Sequence, residues 1–197
     1  MPRTNQMERT RSAIVAAARE IAESGAEITM PAVAAEARVS EATAYRYFPD
    51  LVSLLRAAVT ADDQLAALQA ATEGVTDPVE RAGRAAEILG RAVLRRQGAV
   101  RAVVAASIAR PSAAAERPVR RFALIEHALA PWAATHDGEQ LARDLAVVIS
   151  AESMFTLTDL CRLSPDEAIA SLVATARRVT AAAVRAGSGD PAHSTIT

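Results

Sequence analysis

The stretch from Thr29 to Phe48 gathers the residues of this 197-residue chain best placed to do chemistry. Hydroxyls stand at Thr29, Ser40 and Thr43, phenols at Tyr45 and Tyr47, and guanidiniums at Arg38 and Arg46. Hydroxyls beside a helix start, together with the backbone N–H groups left free there, suit phosphate oxygens. Bond-making chemistry has no comparable support. There is no Gly-rich phosphate loop, no nucleophile elbow and no metal-ligand spacing, and the histidines are His127, His136 and His193. The reading is therefore recognition without catalysis and without a cofactor.

Two short helices must position these groups. Thr29 caps the first, which ends near Ala37 and turns a small apolar face of Val33, Ala34 and Ala37 inward. Val39 in the turn is an apolar plug. Ser40 caps the second helix, which stops before Pro49. A short capped helix of this kind fits the major groove of DNA. An earlier helix runs from about Thr10 to Ser24, carries Ile14, Ala17, Ala18 and Ile21 at helical spacing, and stops at Gly25. Residues 1–8 precede it as an arm expected to reach the minor groove. The same residues also have plain readings. Tyr45 and Tyr47 could be half-buried aromatics, Arg46 a solvated charge, and Glu41 a first-turn acid favoured by the helix dipole. Phe48 is expected in the small core.

This stretch resembles the TetR/AcrR family of regulators. Thr29, Val33-Ala34, Ala37, Val39-Ser40, Thr43, Tyr45, Tyr47 and Phe48 fit its pattern, as do Ile14, Ala17-Ala18, Ile21 and Gly25 before them and Leu54-Leu55 after. The likeness covers about residues 9–60. It implies that Glu41, Ala42, Tyr45 and Arg46 face bases: Arg46 toward guanine O6/N7, Glu41 toward cytosine N4, Ala42 toward a thymine methyl. It implies that Thr29, Ser40, Thr43 and Tyr47 face phosphates. Two positions depart from the pattern. Arg38 stands where the family has its turn glycine, at a cost of roughly 1 kcal/mol if the backbone is left-handed, and is a candidate phosphate contact in return. Leu51 stands where the family often has a phosphate-touching lysine.

Composition sets the remaining bounds. The chain is 51% hydrophobic and 3% aromatic, with 22 basic and 23 acidic residues, and every basic residue is arginine. Abundant Ala and Leu with few aromatics favour helix throughout. A net charge of −1 makes no global magnet for nucleic acid, so a DNA-facing surface must come from local placement. Residues 1–60 hold seven arginines and seven acids, with Arg3, Arg9 and Arg11 at one end; a basic DNA-facing side and an acidic far side are expected. Cys161 is the lone cysteine, which rules out an intrachain disulfide and fits a cytoplasmic home. No run of about 18 apolar residues is present to span a membrane.

Downstream, Asp50 is expected to cap a helix carrying Leu51, Leu54, Leu55, Val59, Leu65 and Leu68. Asp77-Pro78 opens the next, with Gly98 interrupting it near its end, and Pro111 closes another. Residues 116–135 read as helix, with Pro118 near the start and Pro131 kinking or ending it. Asp137-Gly138 opens a long helix through Leu160, and Ser164-Pro165 opens the last, to about Arg185. The expected fold is all-α with about nine helices. Residues 1–50 form a three-helix helix-turn-helix domain, 51–187 a helical ligand-binding and dimerisation domain, and 188–197 a disordered tail.

The resemblance implies an unknown small-molecule effector in the second domain, held among Leu65, Leu89, Val93, Val104, Ile108, Ile125, Leu129, Trp132 and Phe155, with His127 offering a hydrogen bond. It implies a homodimer through the last two helices, at Leu145, Val148, Ile149, Leu172, Val173, Ala176 and Val179. The function it implies is a repressor of palindromic operator DNA released by that effector. The alternative is a helical ligand-binding dimer that has lost specific DNA binding.

Overall fold

A computed structural model of the chain describes residues 2–60, 63–109, 120–134, 136 and 138–187, and of residues 2–4, 60 and 120 the backbone alone. Pro111, Pro118, Asp137 and the tail 188–197 lie outside the described residues. Among the described residues all regular structure is helical. The helices are α1 (Pro2–Ser24), α2 (Met30–Glu36), α3 (Glu41–Tyr47), α4 (Leu51–Thr60), α5 (Gln64–Ala71), α6 (Pro78–Arg95), α7 (Gln97–Ala109), α8 (Arg120–Ala133), α9 (Glu139–Val148), α10 (Ala151–Phe155) and α11 (Pro165–Gly187). A π-helical turn, Thr156–Leu160, follows α10.

Four expectations are corrected. The segment expected as an N-terminal arm is helical, because α1 begins at Pro2. Proline suits the first helical turn, and nothing between it and Thr10 breaks a helix. The helix expected from Leu51 through Leu68 is two, and Asp63 caps the second by accepting from the Ala66 N–H at 3.0 Å. The long helix expected through Leu160 breaks at Ile149-Ser150. There Ser150 Oγ accepts from the Ser153 N–H at 3.1 Å, so its hydroxyl competes with helix continuation. Gly98 lies in the first turn of α7 and not at the α6–α7 break, which falls on Arg96.

The chain forms two compact units, Met1–Asp62 with Ala92–Pro118, and Asp63–Arg91 with Val119–Thr197. The unit holding α2 and α3 thus also takes in α4 and α7, past the boundary expected at residue 50. In it, α4 serves two cores. Leu54 and Ala58 pack with Ile14, Ala18, Val33, Ala44 and Phe48, while Leu55 packs with Ala22, Ala99 and Val103. Leu51 is half-buried against both clusters. The apolar side chain in the family's lysine position is therefore a packing residue here.

In the other unit, Gly90 of α6 faces Met154 Sδ, Ile169 and Leu172, which a Cβ there would meet at ordinary contact distances of 3.4–3.5 Å. Ser164 and Glu167 open α11 as a capping box: the Glu167 carboxylate accepts from the Ser164 N–H at 2.9 Å and Ser164 Oγ accepts from the Glu167 N–H at 3.4 Å. Arg81 of α6 is 6% exposed, and among the described residues no carboxylate pairs with it. It donates to the carbonyls of Ala128, Thr72, Val75 and His127 at 2.9, 3.2, 3.0 and 2.6 Å. Its Nη2 also lies 3.1 Å from His127 Nε2. Arg84, one turn on, reaches the Ala71 carbonyl. Two cations thus meet the C-terminal end of α5, where the helix dipole is negative.

This network makes His127 a pH-sensitive element. Its pKa is lowered, by desolvation first and by the Arg81 charge second. The unfolded chain then binds this proton more readily than the folded one. Stability from the neutral imidazole is fully present above about pH 6.5, and is lost as the pH falls from there through the folded value. Melting temperature should fall between pH 7.5 and 5, and His127→Gln should flatten part of that fall. Parallel profiles for the two proteins would contradict the assignment.

Candidate nucleic-acid interface

The turn between α2 and α3 is built from caps that can be traced atom by atom. Thr29 has extended backbone (φ −127°, ψ 155°), and its Oγ1 accepts from the Ala32 N–H at 3.2 Å. At the other end of α2, the Val39 N–H donates to the Ala34 carbonyl at 2.9 Å and the Arg38 N–H to the Ala35 carbonyl at 3.1 Å. This is a Schellman ending, in which the residue after the cap takes the left-handed backbone. That residue is Arg38, at φ 56°. Val39 follows it and packs onto the core, as an apolar residue does in this motif.

Ser40 then starts α3. Its Oγ accepts from the Thr43 N–H at 3.2 Å and pairs with Thr43 Oγ1 at 2.9 Å. Of the two hydroxyl protons, one is used in the pair. The other remains free to donate outward, whichever residue carries it.

The short helix α3 has two distinct sides. Ala44 is fully buried and Phe48, just after the helix, is 3% exposed. Glu41, Ala42, Tyr45 and Arg46 are exposed, and spacing of one and four residues puts all four on one face. Tyr45 is 48% exposed and stands apart from the buried cluster. Tyr47 is half-buried against the core, with the Arg46 guanidinium 5.6 Å from its ring centroid. Arg11 stands 5.2 Å over the Phe48 ring, so α1 brings a second guanidinium to the end of α3. Arg38 and Ser40 are exposed, and Thr29 and Thr43 half-buried. The nine expected DNA-facing residues thus lie at the N-cap of α2, in the turn and on α3.

The expected ligand-pocket residues do not converge in this way. Leu89, Val93, Ile125 and Leu129 are buried core, and Ile108 is 69% exposed on α7. Val104 and Phe155 are half-buried. Nε2 of His127 is engaged by Arg81 and by Thr72 Oγ1 at 3.0 Å. Trp132 stacks on His136, with centroids 4.8 Å apart and planes 5° from parallel. Leu65 lines a 230 Å³ cavity with Asp63, Gln64, Ala123 and Leu124. A larger cavity of 440 Å³ went unforeseen. It lies among the end of α1, the start of α4 and the α6–α7 corner, against Leu51, Leu55, Leu94 and Ala102.

The expected dimer residues divide as well. Leu145, Ile149, Leu172 and Ala176 are 0–2% exposed, so their side chains are spent within the chain's own core. Val148, Val173 and Val179 are half-buried.

Residues 13–58 match the family described as bacterial regulatory proteins, tetR family. No curated protein matches the chain. A crystal structure of the multidrug binding protein EbrR complexed with imidazole is similar in fold, with a TM-score of 0.58 at 21% identity over 93% of this chain and 98% of that one. The family match thus spans α2, α3 and the turn between them, and the likeness to EbrR is one of fold. Among the described residues no helix is long and apolar enough to cross a membrane.

Arg38 then separates a cost in stability from a use in binding. A left-handed backbone costs an L-residue about 1–2 kcal/mol, while glycine's greater unfolded freedom costs about 0.5–1. Arg38→Gly is therefore expected to stabilise the chain by about 0.5–1 kcal/mol in urea titrations. If Arg38 touches a phosphate, the same change weakens every DNA sequence alike and lowers the salt slope by about 0.9. Stabilisation with an unchanged slope would remove Arg38 from the interface.

Proposed function

We propose that this chain is a ligand-responsive repressor that binds a palindromic operator as a homodimer and is released by a small-molecule effector. The observation that carries the DNA part is the exposed face Glu41, Ala42, Tyr45 and Arg46, on a helix fixed at its start by Ser40 and at its base by Ala44 and Phe48. One recognition helix of two turns grips weakly. A twofold dimer reads two half-sites about 34–36 Å apart. Val148, Val173 and Val179 are the candidate contact residues of such a dimer. EbrR is described as a multidrug binding protein, and the likeness of fold supports an effector site in this chain too. Trp132 and Phe155, both half-buried, and Leu65 beside its cavity are the remaining candidate contacts. An effector that prefers the released state by about 1–3 kcal/mol suffices to switch occupancy.

The deciding experiment is selection of DNA from a random pool by the purified chain, repeated with Tyr45→Ala. A palindrome enriched by the parent and lost or degraded in the variant supports the repressor. No enrichment at low salt by a folded dimer would favour a ligand-binding protein that has lost its DNA.

A further inference from the structure

We propose that Arg96 is a positioning residue, tying the α6–α7 corner to the two helices that hold α3 in place. Arg96 occupies the single-residue break between α6 and α7 and is 2% exposed. Its Nε lies 3.3 Å from Glu23 Oε1, in the last turn of α1. Its Nη1 donates to the Ala58 carbonyl, near the end of α4, at 3.3 Å. The methyl of Ala58 is fully buried in the same cluster as Val33, Ala44 and Phe48. One guanidinium therefore reaches, through a single residue, the core on which the recognition helix sits.

Packing around this tie is incomplete. The 440 Å³ cavity opens beside it, lined by Glu23, Leu51, Leu55, Leu94, Gln97 and Gly98 among others. The neighbouring cluster is built partly from small side chains, Ala22, Ala99 and Ala102. A loosely filled junction leaves the register of α4 against the corner more dependent on discrete polar contacts. An ion pair with one exposed partner, as Glu23 is here, is a poor source of net stability. Its distinguishing effect is geometric: it admits one arrangement of the groups it joins.

This inference rests on the DNA-binding reading above, and its test is built so that the two can fail separately. Spin labels at Ala42→Cys on α3 and Ala105→Cys on α7, in a Cys161→Ser background with labelled chains diluted into unlabelled ones, report one distance within this unit. The parent should give a narrow distribution. Glu23→Gln should broaden or shift it at a melting temperature close to the parent's, Arg96→Met should do so at a lower one, and Arg91→Met, in an exposed pair with Glu87, should leave it unchanged. In unlabelled proteins, both tie variants should weaken binding to the selected operator about fivefold or more. Unchanged distributions in both variants would overturn the proposal, whatever the DNA result. Broadened distributions in proteins that bind no DNA, the parent included, would keep the tie and remove the repressor reading. If Arg96→Met fails to fold, Glu23→Gln, at the exposed end of the pair, decides alone.

Discussion

Replacing Arg46 with alanine is expected to lower operator affinity about 5- to 150-fold for each half-site and to relax base preference at one position in it. The guanidinium is exposed on the outward face of α3, one residue past Tyr45 and one turn past Ala42. A bidentate contact to guanine is worth about 1–3 kcal/mol of discrimination, or roughly 5- to 150-fold, and a symmetric dimer makes it twice. A phosphate contact has another signature: affinity falls alike for all sequences, with a shallower salt dependence. The competing role for Arg46 is the one in the free chain, stacked 5.6 Å from the Tyr47 centroid. Such contacts are worth about 0.5–1 kcal/mol at exposed sites and act on stability. Selection with Arg46→Ala distinguishes the three. Relaxed preference at one position per half-site marks a base contact. A uniform loss marks a phosphate contact, and a lower melting temperature with intact preference marks the stack.

That face could be anticipated because local chemistry determines it. Thr29, Ser40, Asp50, Asp77 and Ser164 cap helices through side-chain bonds to their own neighbours, and each bond depends only on residues within three positions. The left-handed turn at Arg38 also follows from the two helix ends on either side of it. The start of a new helix at Asp63-Gln64 and the break at Ile149-Ser150 were hidden because apolar periodicity runs across both. The effector residues were hidden for a different reason. Leu89, Ile125 and Leu129 look the same in a sequence whether they line a pocket or fill a core. Only the placement of neighbouring helices decides between these. Arg81 and Arg96 are buried, although a long charged side chain at helical spacing is usually solvated. For Arg81 a signal was available in the sequence: a proline inside a helical pattern leaves one carbonyl without its donor.

That carbonyl belongs to His127, and it leads to the largest stability effect expected in this chain. Pro131 lies inside α8 and has no N–H to give to the carbonyl four residues back. Arg81 Nη2 donates to the His127 carbonyl at 2.6 Å and supplies what the proline lacks. It also closes the exit of α5 through Thr72 and Val75. A buried acceptor left without a donor costs about 1–3 kcal/mol, so Arg81→Met, which strands at least the carbonyls of His127 and Val75, should destabilise by about 2–5 kcal/mol. In a chain of this size that is a drop of about 5–15 °C in melting temperature. Arg81→Lys should fall between the two, because an ammonium cannot span carbonyls on both helices as the planar fork does. Pro131→Ala is the decisive companion. It restores an N–H aimed at the His127 carbonyl and should recover about 1 kcal/mol in the Arg81→Met background beyond whatever it adds to the parent. Equal effects of Pro131→Ala in both backgrounds would mean that Arg81 and Pro131 act independently. The guanidinium would then hold the end of α5 alone, and α8 would keep its shape without it.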